Sequence, residues 1–105
     1  MKDTQMLKGV LEGCVLQIIA QQESYGYELV QTLRSNGFQN MVGGTVYPLL
    51  QKLEKNGLIV GRHKPSPDGP DRKYFYLTDR GNAYLKEFWC QWNDLVVKVE
   101  RLKGD

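Results

Sequence analysis

Six apolar residues near the C-terminus, Leu85, Phe88, Trp92, Leu95, Val99 and Leu102, recur at spacings of 3, 4, 3, 4 and 3. That is the seam of a helix packed lengthwise along another helix. A chain of 105 residues holds one domain and hardly two. A domain so small buries only ~65% of the surface its unfolded chain exposes. It has little core to spare for so long a stripe, so the seam reads as a dimer contact. The plainer alternative is a long helix folded back on the first one, and the two are not exclusive. Trp89 and Val96 add a shorter stripe beside it, and Asp94 with Lys98 forms a favourable i,i+4 pair on the outer side.

Upstream, glycines and prolines divide the chain. From about Asp3 to Gln21, apolar residues at Leu7, Val10, Leu11, Cys14, Val15, Ile18 and Ile19 predict a helix apolar on two sides. Ser24 reads as the N-cap of a second helix, from Tyr25 to about Asn36, with Leu29, Val30 and Leu33 facing inward. Gly43-Gly44-Thr45 opens a third, with Val46, Leu49, Leu50 and Leu53 on its apolar side and a stop at Asn56-Gly57. Pro48 is expected in the first turn, where a missing N–H is tolerated. A β-hairpin follows, Leu58 to Lys64 and Arg72 to Leu77, around the turn-rich stretch from Pro65 to Asp71. Thr78 and Asp79 then start the last helix.

The net charge of +2 argues for nothing by itself, but it is unevenly placed. Between Gly43 and Arg80 there are seven Lys/Arg against four acids, and elsewhere seven against eight. At 41% apolar and 25% charged, the composition is that of an ordinary globular protein. No apolar run approaches the ~20 residues of a membrane span, and no secretory leader opens the chain. Cys14 and Cys90 both fall among apolar residues and match no metal or redox spacing, so they read as buried free thiols in a cytoplasmic protein. No metal and no cofactor are expected.

The predicted fold is mainly α with a small antiparallel β-hairpin: a winged helix-turn-helix over residues 1–78, then a dimerisation helix over 79–105. In that architecture the third helix enters the major groove of DNA and the hairpin is the wing. Gly43 and Gly44 let backbone approach a phosphate at a helix N-terminus. Thr45, Tyr47 and Gln51 are donors on the solvent face beside Pro48, and Lys52 reaches a phosphate. Gln51 is of the type that reads adenine, although a surface glutamine is more often merely solvated. Arg62, Lys64, Arg72 and Lys73 suit backbone or minor-groove contact, or simply keep a solvated strand pair from aggregating.

These residues resemble the PadR-like transcriptional regulators, in particular the short type with one C-terminal helix. The resemblance rests on Leu7-Lys8-Gly9, Tyr25-Gly26-Tyr27-Glu28-Leu29, Gly44-Thr45-Val46-Tyr47-Pro48-Leu49-Leu50, Leu53-Glu54-Lys55-Asn56-Gly57-Leu58-Ile59 and Arg72-Lys73-Tyr74-Phe75-Tyr76-Leu77-Thr78, with Gly81 after it. It implies a homodimeric repressor on a palindromic double-stranded DNA operator, with Tyr25, Tyr27 and the start of the third helix on the backbone. It also implies that the C-terminal helix packs on the partner's first and last helices, which brings Leu7 and Leu11 into the interface. In drug-binding members a tryptophan of the last helix stacks flat aromatic cations at the dimer centre. Trp92 resembles it by position, with Asp94 or Glu100 as counter-charge. This sequence departs from that pattern at Trp89, a second bulky ring that could close such a pore.

An enzyme is a poor fit, since no phosphate loop, nucleophile elbow or metal cluster is present. A winged-helix module that binds protein in place of DNA is the alternative. The polar, basic face from Thr45 to Lys55 argues against it.

Overall fold

A computed structural model describes residues 4–104 of the chain. The order is α1 (Thr4–Gln21), β1 (Ser24–Tyr25), α2 (Gly26–Ser35), α3 (Gly43–Lys55), β2 (Ile59–Ser66), β3 (Gly69–Leu77) and α4 (Asp79–Lys103). The expected start of the first helix at Asp3 lies outside the described residues. The wide stripe of α1 packs as expected, with Leu11, Val15 and Ile19 buried and Leu7, Cys14 and Ile18 half-buried against them, and Leu16, outside the predicted stripe, is buried too. Leu29, Val30 and Leu33 of α2, with Val46, Leu50 and Leu53 of α3, complete the helical core.

The second helix is capped differently from the prediction. Ser24 is fully buried, donates its hydroxyl to the Gln22 carbonyl at 3.3 Å, and pairs with Phe75 in a short strand. Tyr25 takes the N-cap position, and its backbone N–H donates to Glu28 Oε1 at 3.2 Å. The hairpin is therefore part of a three-stranded antiparallel sheet in the order β1-β3-β2. Its strands also run further than predicted. Pro65 and Pro70 lie inside β2 and β3, and only Pro67 and Asp68 remain between the strands. Prolines are tolerated there because β1 covers only Tyr74 and Phe75 of β3, leaving the outer backbone of both strand ends without a neighbour. A register shift between Lys64 and Ser66 absorbs the mismatch.

Pro48 is likewise deeper than expected. With α3 starting at Gly43, it falls beyond the first turn, and the Gly44 carbonyl lacks its helical donor. Both residues are exposed, so that carbonyl is open to water. The loop between α2 and α3 is braced by Arg34, whose guanidinium donates to the Met41 carbonyl at 2.7 Å.

At the start of α4, the Thr78 side chain accepts from the Gly81 N–H at 3.0 Å and donates to the Gly57 carbonyl at 2.7 Å. The first turns of α4 then lie on α1. Leu85 is in the core, the Phe88 ring covers Gly13, and the Trp89 indole N–H donates to Gln17 Oε1 at 2.8 Å. Leu11 and Leu85, expected in a dimer interface, are thus only 5% exposed in the chain's own core and have almost no surface left for a partner. Beyond Trp89 the helix leaves the body of the molecule, and every described residue from Cys90 to Gly104 is exposed. The thiols differ accordingly. Cys14 is half-buried, and burial pushes its thiol up from the usual range, whereas Cys90 is exposed and not buried as expected.

Candidate nucleic-acid interface

The start of α2, the solvent side of α3 and the root of β3 meet in one open groove. Tyr25, Tyr27, Tyr47, Gln51, Arg72 and Lys73 line it, with Gly26, Leu50, Glu54 and Phe75, around a cavity of about 310 Å³. The seating of Tyr47 explains two of its glycines. A Cβ at Gly26 would overlap the Tyr47 ring, and one at Gly43 would stand 2.6 Å from it. Gly43 therefore serves side-chain packing between the two helix starts. Gly44 has open space around it and leaves the N-terminus of α3 accessible.

The exposed side of α3 carries Gly44, Thr45, Tyr47, Pro48, Gln51, Lys52 and Lys55, as its periodicity predicts. Val46, Leu50 and Leu53 turn the other side into the core. No acid occupies the first turn, and Lys52 and Lys55 stand in the last. The N-terminal end of α3 therefore favours an anion. Tyr27 is exposed, and its hydroxyl accepts from Gln31 Nε2 at 3.0 Å.

The bases of the wing do not share one face. Lys73 alternates with Phe75 and Leu77 on the side of the sheet that meets the core, together with His63 across the ladder. Arg72, Lys64 and Arg62 lie on the opposite side with Tyr74 and Tyr76. Arg72 bridges the gap, because its guanidinium stacks 4.5 Å from the centre of the Tyr25 ring. Tyr25 in turn meets Tyr74 edge to face at 5.3 Å. The groove thus gains a fixed cation at its wing side.

Three of the expected phosphate contacts are held by acids that the sequence reading left out. Lys73 bonds Glu54 at 2.8 Å, Lys64 bonds Glu23 at 2.7 Å, and Lys52 lies 3.4 Å from Glu12. Glu23 also accepts from the Tyr76 hydroxyl at 2.6 Å, and these bonds hold its carboxyl below the usual carboxylate range. The lysines and their acids lie 19 to 41 positions apart in the chain, so no local pattern announces them. Arg62 is exposed and makes no salt bridge among the described residues.

On α4, Trp92 is 40% exposed, Leu95 54%, Val99 50% and Leu102 90%. Asp94 is engaged by Lys98 at 2.8 Å. Trp89 does not stand beside Trp92 on a free face, since its ring packs edge to face on Phe88 and is tied to α1. Among the described residues no group of three or more His, Cys, Asp or Glu could hold a metal, and no helix is long and apolar enough to cross a membrane.

Residues 15–87 match the profile of the family described as Transcriptional regulator PadR-like. Solved structures agree over nearly the whole chain. A Streptococcus transcriptional regulator is 64% identical, with a TM-score of 0.88 over 95% of this chain and 98% of that one. A PadR-like transcriptional regulator from Bacillus cereus is 48% identical, with a TM-score of 0.87 over 96% and 98%. Bacillus subtilis PadR, solved in complex with operator DNA, is 26% identical with a TM-score of 0.70, covering 76% of this chain and 45% of that one.

Proposed function

The chain belongs to the PadR-like family of transcriptional regulators, a family of regulators and not of enzymes, and from that premise we propose that it is a cytoplasmic homodimeric repressor that binds an inverted-repeat operator and is released by a small molecule. The observation that carries the reading is the groove in which Tyr25, Tyr27, Tyr47, Gln51, Arg72 and Lys73 converge from three elements. It joins phenolic and amide donors on a helix surface to cations on the wing, the mixture that phosphates and base edges require.

In the proposed complex the exposed side of α3 lies in the major groove. Gly43, Gly44 and Thr45 at its start meet a phosphate, with the Tyr25 and Tyr27 hydroxyls on the same strand. Gln51 reads a base edge. Lys52 and the wing residues Arg62, Lys64, Arg72 and Lys73 supply charge. Residues 1–78 do this work, and residues 79–105 pair two copies through Trp92, Leu95, Val99 and Leu102. The exposed end of α4 supports that pairing, since four apolar residues at heptad spacing have no cover within the chain. Leu7 and Phe88, both half-buried, border the interface. Trp92 faces the same seam and offers its ring to a flat aromatic cation, with Asp94 nearby as counter-charge once Lys98 yields.

The test is fluorescence anisotropy on DNA from upstream of the protein's own gene, against scrambled DNA at two salt concentrations. Preference for the native fragment by ~10³-fold or more is expected. Lys52→Ala or Arg72→Ala should lower the salt slope by about 1 on either DNA. Weak binding with no preference by a confirmed dimer would favour a protein-binding winged helix instead.

A further inference from the structure

One carboxylate on α1 touches two other helices. Glu12 Oε1 accepts a hydrogen bond from the Tyr84 hydroxyl of α4, and Glu12 Oε2 stands 3.4 Å from the Lys52 ammonium of α3. The Glu12 side chain is 20% exposed and that of Lys52 64%. The acid is therefore the seated member of the pair and the lysine the mobile one. The hydrogen bond, with burial adding to it, keeps the Tyr84 hydroxyl above its usual range. Tyr84 itself is placed by its neighbours in α4, with Leu85 in the core and Phe88 over Gly13.

We propose that Glu12, pinned by Tyr84, restrains Lys52: it holds the ammonium partly neutralised on the α1 side of α3 and so limits what this lysine adds to phosphate binding. The proposal rests on the reading of α3 as the helix that faces DNA. A phosphate arriving at Lys52 must compete for an ammonium already shared with an anion. The pair is largely exposed on the lysine side, so the restraint is weak and easily exchanged. The same contact links α4 to α3. Any partner or ligand that moves α4 on α1 acts on the Tyr84 bond, and through Glu12 on the charge that α3 presents.

The experiment measures DNA binding of Glu12→Gln, Tyr84→Phe and Lys52→Ala, alone and combined, after equal unfolding midpoints confirm folding. Glu12→Gln is expected to tighten binding between about 1.5-fold and 5-fold, the range of an exposed ion pair. Because phosphates carry no sequence information, operator and scrambled DNA should gain equally. Tyr84→Phe should give part of that gain, and none in the Glu12→Gln background. In the Lys52→Ala background, Glu12→Gln should change nothing. A Glu12→Gln protein that binds no tighter, or a gain that survives Lys52→Ala, would overturn the restraint. If Lys52→Ala alone leaves affinity and salt slope unchanged, the DNA-facing role of Lys52 fails first and the restraint falls with it. If Glu12→Gln does not fold, Tyr84→Phe decides by the same comparison.

Discussion

The Tyr47 ring lies where a side chain at Gly26 would have to be, so the start of α3 is seated directly on the start of α2. This contact sets the distance between the two helices at the end where the proposed DNA contacts gather. Tyr47 is half exposed, which lets its ring both pack and face outward.

Gly26→Ala is therefore expected to displace the Tyr47 ring at a cost of about 1–3 kcal/mol, the range for forcing a methyl into a filled site. In a Tyr47→Ala background the same change should cost nothing, or gain slightly from the better helix former. Urea unfolding of the four proteins in this cycle measures the difference. Equal losses in both backgrounds would show that the ring is not what Gly26 accommodates.

Gly81→Ala should be worse. A Cβ there would run into the backbone carbonyl of Leu58, which cannot rotate away as a ring can. The loss is expected at or above ~3 kcal/mol, the upper end for overpacking, with a matching fall in the thermal midpoint. A tolerated Gly81→Ala would mean that α4 can lift from the sheet, contrary to the Thr78 cap that holds it.

The Glu23 carboxyl, lowered first by its hydrogen bond with Lys64 and then by that from Tyr76, should titrate below the ordinary carboxylate range. Its folded value lies under its unfolded one, so its contribution to stability is present above the unfolded value and is lost as pH falls through the folded one. Side-chain carbon NMR should place its midpoint below the ordinary carboxylate range. Lys64→Ala should move that midpoint upward. A midpoint that stays put would assign the shift to Tyr76 instead.

The two tryptophans should separate cleanly. Trp89→Ala removes a ring packed on Phe88 and bonded to Gln17, and is expected to destabilise the fold by about 2 kcal/mol or more. Trp92→Ala should leave a monomeric fold unharmed and instead abolish quenching by cationic dyes. Persistent dye binding would place the ligand elsewhere.

Leu95→Asp with Val99→Asp alters two half-exposed positions outside the core. Sedimentation should show monomers that no longer bind a palindrome, while the helical signal of the body persists. Dimers that survive would show that the apolar seam is not what pairs the chains.

Elements marked by their own apolar periodicity were legible from the chain. The helices α1, α2 and α3 follow from apolar spacing, and α4 from its heptad and its Thr78 cap, because periodicity records which side must leave water. The exposed side of α3, with Thr45, Tyr47, Gln51 and Lys52, was readable for the same reason. Ser24 shows the limit. Its residue type suits a cap, but pairing with Phe75 in β3 gave its backbone a better use, and that partner stands 51 positions away. Chain periodicity also could not divide the α4 seam. Leu85 and Leu102 both lie on the heptad seam, yet one is 5% and the other 90% exposed, because α1 ends its contact near Trp89.

The sequence by itself determined which residues must be covered and which backbone positions permit a turn, since hydrophobicity and local conformational preference belong to each residue. Apart from the i,i+4 pair of Asp94 with Lys98, which spacing announced, tertiary structure decided which acid meets which base. Glu12 with Lys52, Glu23 with Lys64 and Glu54 with Lys73 are set by where whole elements come to rest, and a charge carries no record in the chain of the partner that folding will bring within its reach.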